Sequence, residues 1–192
     1  MTSTHADTSA TGLLTRTGLG RTVLLGAGAG VLASVAMAMY AMIHAATSGK
    51  GFFTPLYQIG SLLISPTAMT TSVQHAAGGS VFYFTLGPAL VGAMVHMMTG
   101  AIYGVVFYLI VSRLSLDKSW LIVLGLVFGV VVFAMSSWIA LPVMAALLGS
   151  GDQIAHMAQN AGYLPFLVNH LIYGAALGAL LALRQTDPPS DR

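Results

Sequence analysis

Four long stretches of this chain carry no charged residue, at 22–46, 88–111, 119–148 and 162–183. A helix needs roughly 20 apolar residues to cross a hydrocarbon core, and inside that core every backbone amide must be paired within the protein. Runs of 20 to 30 residues are far too long for membrane β-strands, which need only about 10. Composition agrees, because the chain is 56% hydrophobic and only 6% charged, with a mean hydropathy of +0.84. Soluble domains sit nearer 25% charged. The expected fold is therefore all-α: a polytopic membrane protein built as a four-helix transmembrane bundle.

Charge in such a chain serves orientation. Arg16 and Arg21 precede the first run, Arg113 and Lys118 separate the second from the third, and Arg184 and Arg192 follow the fourth. Lys50 stands alone on the other side. The positive-inside rule then places both termini in the cytoplasm and the segments 47–87 and 149–161 outside. The net charge of +2 points to no nucleic-acid partner, and the lipid bilayer is the expected surrounding. Residues 1–21 read as a disordered cytoplasmic tail, holding His5. Residues 22–184 read as one four-span membrane domain with the outer segment 47–87, and 185–192 as a second tail. The start "RTVLLGAGAGVLASVAMA" is also similar to a signal peptide, but the apolar run continues through "MYAMIHAA", so a retained helix is expected.

Within the outer segment, "GFFTPLYQIGSLLIS" is too short to span and reads as an interfacial or re-entrant helix, with Phe52, Phe53 and Tyr57 near headgroup level. The second outer segment suits a short helix capped by Asp152, and Pro142 should kink the third span near its outer end.

Glycines repeat at four-residue spacing, which puts them on one helix face. Gly26, Gly30 and Ser34 share a stripe on the first span, Gly92, His96, Gly100 and Gly104 on the second, and His170, Gly174 and Gly178 on the fourth. Small residues at this spacing let helices approach closely in lipid. Gly26 and Gly30 align with Gly125 and Gly129, while "HMMTGAIYG" aligns with "HLIYGAALG". The chain thus reads as two parallel-related helical hairpins, spans one and two followed by spans three and four.

The histidines on these stripes set the functional question. A polar side chain in the bilayer is costly unless it is paired or faces the protein interior. His96 and His170 fall at similar depth in the outer half, His44 ends the first span on the same side, and Met37 shares a face with Tyr40 and His44. Imidazole and thioether suit copper, and two facing imidazoles suit a haem b iron. The candidate cofactor residues are therefore His96 and His170, and the candidate metal ligands His44, His96, His170 and Met37. The plainer alternative has each histidine bonded to a hydroxyl, amide or carbonyl on a neighbouring helix, with no cofactor at all. A pocket for some other ligand is the third.

Absences narrow the classes further. Without cysteine there is no disulfide or thiolate chemistry. Glutamate is missing, and the five aspartates all lie outside the spans, where an ion-coupled transporter usually needs a buried carboxylate. No catalytic motif is present. The expected function is a non-catalytic scaffold or accessory membrane component, with a membrane-protein partner or a second copy of itself. A haem- or copper-binding protein is the alternative.

The succession "HMMTGAIYGVVFYLI", "WLIVLGLVFGVVVF", "WIALPVM" and "NHLIYGAALGALLALR" resembles an uncharacterised bacterial inner-membrane family that includes YagU. The similarity covers roughly the second half of the chain. It implies four spans and a bacterial plasma (inner) membrane location, and brings no established chemistry.

Overall fold

A computed structural model describes residues 7–114 and 117–184, with side chains from residue 18 onward. Nine α-helices follow in order among these residues: α1 (Asp7–Thr47), α2 (Thr54–Gly60), α3 (Thr67–Ala77), α4 (Leu86–Val111), α5 (Lys118–Met135), α6 (Leu141–Leu148), α7 (Asp152–Ala155), α8 (Met157–Ala161) and α9 (Tyr163–Ala182). No strand occurs among them. A π-helical turn, Ser136–Ala140, joins α5 to α6 into one long rod.

Four helical stretches are long and apolar enough to cross a membrane: Gly18–Thr47, Leu86–Val111, Lys118–Leu148 and Tyr163–Ala182. The shortest has 20 residues, about 30 Å of helix, and so matches a hydrocarbon core. Their outward faces are apolar too, with Leu24 74% and Met94 70% exposed. A soluble protein could not carry that surface, and this is a multi-pass membrane protein. The helix of the first span begins at Asp7, within the stretch whose composition reads as a tail. That stretch contains no proline, and a helix already nucleated by the span extends into its flank at little cost. The remaining tail residues, 1–6 and 185–192, lie outside the described part.

The bundle is built from two hairpins, α1 on α4 and α5 on α9, joined where α1 meets α9. Glycine makes both seams. A Cβ on Gly26 would sit 2.8 Å from Val105 Cα, and one on Gly104 would sit 2.7 Å from Gly30 Cα. In the second hairpin a Cβ on Gly174 would meet the Gly125 carbonyl carbon at 2.8 Å. The core between the hairpins is filled by Ala29, Ala33, Phe107, Leu121, Tyr173 and Leu177.

The two seams are offset by one turn relative to the sequence repeat. Gly26 lies on Gly104 and Gly30 on Gly100, whereas Gly125 lies on Gly174 and Gly129 on His170. By packing, the counterpart of Gly30 is therefore Gly125, four residues away from the counterpart that sequence alignment selects. A glycine stripe with a four-residue period fits its partner at more than one register. Flanking side chains then decide: Ser34 stands at the His96 level in one hairpin, and Phe133 at the His170 level in the other.

Pro142 is the second residue of α6, with Leu141 between it and the end of the π-helical turn. Its ring clashes with the carbonyl four residues earlier, that of Trp138, and the wider π turn around Trp138 opens the ladder at that point. At this end of the bundle the two long loops form a cap. α2 packs along the first turns of α4, Leu56 against Gly92 and Gly60 against Pro88, so Gly92 seats the cap and not another span. Lys50 Nζ donates to the Asn160 carbonyl (2.8 Å), Gln58 Nε2 to that of Gln153 (3.0 Å) and Ser150 Oγ to that of Leu62 (2.7 Å), tying the loops together.

Candidate functional site

The polar groups inside the bundle are few, and most bond across or along its seams. His96, on α4, places Nε2 2.9 Å from the Ser34 carbonyl of α1. A carbonyl only accepts, so Nε2 carries the proton, and Nδ1 of the neutral ring keeps its lone pair. His170, on α9, places Nδ1 2.7 Å from the Phe166 carbonyl one turn earlier, which leaves Nε2 as its lone-pair nitrogen. Its ring lies between those of Phe166 and Phe133, at 4.6 and 5.9 Å. Tyr173 donates its hydroxyl to the Gly100 carbonyl at 2.7 Å and so fastens α9 to α4. Ser34 Oγ reaches the Met97 sulfur at 3.2 Å and the Val31 carbonyl at 2.8 Å.

The other proposed ligands stand elsewhere. His44 stacks on Tyr40 at the end of α1, ring centroids 6.0 Å apart, with Ser48 Oγ at 3.5 Å. It lies ten residues beyond Ser34, about 15 Å farther along the axis than the carbonyl that His96 reaches. Met37 packs against the core between the hairpins. His75 stacks on Tyr83 in the cap, and His156 faces Asp152 at 3.7 Å in an exposed pair. Among the described residues no three histidine or carboxylate side chains converge on one point.

Two cavities mark opposite ends of the bundle. One, about 200 Å³, opens beside the π-helical turn and is lined by Ser137, Trp138, Pro142, His156, Gln159 and Tyr163. Trp138 and Tyr163 in this lining stack with centroids 6.1 Å apart. Ser137 is buried there and its hydroxyl has no partner. The other, about 410 Å³, lies at the end carrying the termini, between Arg21, Thr22, Leu25, Tyr108 and Arg184.

No known family pattern matches the chain, and no curated protein or solved structure matches it either.

Tyr57 is a buried polar hub of the cap. It is 1% exposed, because α2 turns it inward against α4 and the loop before it. Its hydroxyl donates to the Tyr83 carbonyl (3.1 Å) and accepts the Thr85 amide (2.7 Å), and burial pushes the phenol above its ordinary value. Tyr57, Tyr173 and Ser137 carry no periodic signal of their own in the sequence. A lone tyrosine or serine in an apolar run gives no sign of which carbonyl it will meet. Only the aromatic company of Tyr57 in "GFFTPLYQ" marked the segment as unusual.

Proposed function

We propose that this protein is a non-catalytic, multi-pass component of a bacterial inner membrane, acting as a scaffold or accessory subunit, with both termini in the cytoplasm. One observation carries the reading: the interior histidines and Tyr173 each bond a backbone carbonyl, and two of those bonds join separate helices. Catalytic or transporting groups need polar atoms held open for a substrate, whereas the His96 and Tyr173 bonds hold the helices together. The spans contain no carboxylate, which speaks against coupled ion transport. Arg21, Arg113, Lys118 and Arg184 gather at the end of the bundle that carries the termini, and Lys50 lies in the cap, which supports the orientation. The likeness to the family that includes YagU supports the bacterial location.

The competing reading, haem or copper binding, is favoured by the lone pairs on His96 Nδ1 and His170 Nε2, which bond nothing among the described residues. The two separate in one experiment. Purified protein is titrated with Cu(I) and scanned for a haem spectrum, alongside His96→Ala and His170→Ala. The scaffold reading expects no stoichiometric uptake and a loss of thermal stability in both variants. Stoichiometric copper or haem in the wild type, lost in either variant, overturns it. Reporter fusions after Lys50, Lys118 and Gly151 test the orientation, with a cytoplasmic signal expected only at Lys118.

A further inference from the structure

At the end of the bundle that carries the termini, two arginines line one cavity. Arg21 comes from the start of the first span and Arg184 from the residues just beyond α9, so only the folded bundle brings them together. No carboxylate among the described residues pairs with either. Thr22 and Tyr108 add two hydroxyls to the lining. Thr22 Oγ1 donates to the Gly18 carbonyl at 3.0 Å and still has lone pairs, while the Tyr108 hydroxyl has no protein partner among the described residues. Leu25 supplies an apolar wall one turn deeper into the span. The volume of about 410 Å³ falls within the roughly 300–1,000 Å³ typical of small-molecule sites.

Two like charges held around one cavity repel, and an anion between them reverses the sign of that interaction. Arginine's planar fork matches the oxygens of a phosphate in pairs, and hydroxyls beside it complete the shell of a tetrahedral oxyanion. We propose that this cavity is a phosphate-binding site, occupied by the head group of an anionic glycerophospholipid. Its position at the level of the span ends, with Leu25 leading toward the hydrocarbon, favours a lipid phosphate over a soluble one. Basic pockets between membrane helices recognise such head groups by this chemistry, and each arginine near an anionic lipid surface is worth about fivefold in affinity.

The test uses the full-length protein in a neutral detergent, with binding followed by native mass spectrometry and by thermal shift. Phosphatidylglycerol, phosphatidylcholine and inorganic phosphate are the three probes. The expected result is saturable phosphatidylglycerol binding at least about tenfold tighter than phosphatidylcholine. Arg21→Gln and Arg184→Gln should each weaken it about fivefold and the double variant roughly 25-fold. Arg113→Gln, at the same end but outside the cavity lining, should leave it unchanged. Should the double glutamine variant fail to fold, Arg21→Lys with Arg184→Lys keeps both charges and loses the fork, and weaker phosphatidylglycerol binding is again expected. Inorganic phosphate that competes with phosphatidylglycerol at comparable concentration would keep the phosphate site and assign it to a soluble anion. Equal binding of the two lipids, or equal phosphatidylglycerol binding by the wild type and the substituted variants, would overturn the proposal.

Discussion

Gly30 and Gly28 lie two positions apart on α1 and differ in what a methyl group would meet. A Cβ on Gly30 would fall 3.0 Å from Gly104 Cα and from the Gly100 carbonyl carbon, with the Gly100 oxygen closer still. A Cβ on Gly28 would meet nothing within 4 Å. Carbon atoms pack best at about 3.5–4.0 Å and the Gly100 oxygen is nearer than either carbon, so Gly30→Ala forces α1 and α4 apart by roughly one ångström along the seam. All three obstructing atoms are backbone, and no rotamer change relieves the clash. Overpacking of this kind costs about 1–3 kcal/mol. Both substitutions gain helix propensity, at most about 1 kcal/mol each, and that gain cancels in the comparison. Gly30→Ala should thus be less stable than Gly28→Ala by about 2 kcal/mol. For a chain of this size that is roughly 4–8 °C in Tm. Unfolding is followed by helical ellipticity in detergent, by temperature and by titration with a denaturing detergent. Matching stabilities for the two alanine variants would refute the seam as the element that holds the first hairpin.

Other expectations follow from single bonds. Tyr173→Phe removes the hydroxyl that fastens α9 to the Gly100 carbonyl, and should cost about 1 kcal/mol in the same unfolding assay. Ser137→Ala removes a buried hydroxyl with no partner, and should be neutral or stabilising by up to about 1 kcal/mol. A clear loss there would mean that the hydroxyl has a bonding role. Tyr57→Phe strands the Thr85 amide and should cost about 1–3 kcal/mol. The buried phenol also has a raised pKa, so the folded state keeps its proton after the unfolded chain begins to lose it. That contribution is complete below about pH 10, the unfolded value, and is lost as pH climbs through the folded one. Thermal melts at rising alkaline pH should therefore fall more steeply for the wild type than for Tyr57→Phe.

Much of the fold is legible without coordinates because lipid imposes a single rule on the chain. Charge-free runs of 20 residues or more must be helices, and four of them leave little freedom in the number of spans. In the third span the sequence leads to an expected kink at Pro142, and the structure shows a π-helical turn, Ser136–Ala140, just before that proline. Loops obey no such rule. The short runs around Tyr57 and Ile154 have the same composition whether they lie on the membrane or plug it. Only their contacts with α4, and with one another through Lys50, Gln58 and Ser150, decide that they form a cap.

The glycine and histidine stripes divide along the same line. Four-residue spacing by itself determined which residues share a face, because helical geometry depends on sequence position alone. It could not determine register. A periodic stripe is nearly unchanged by a shift of one turn, so the choice falls to bulkier neighbours that touch only after the helices have met. That choice sets His96 on the Ser34 carbonyl, His170 in a box of phenylalanines, and Tyr173 on Gly100. The tertiary structure likewise brings Arg21 and Arg184, from opposite ends of the chain, to one cavity. Contacts between residues so far apart in sequence arise from the closure of the bundle, and no local pattern encodes them.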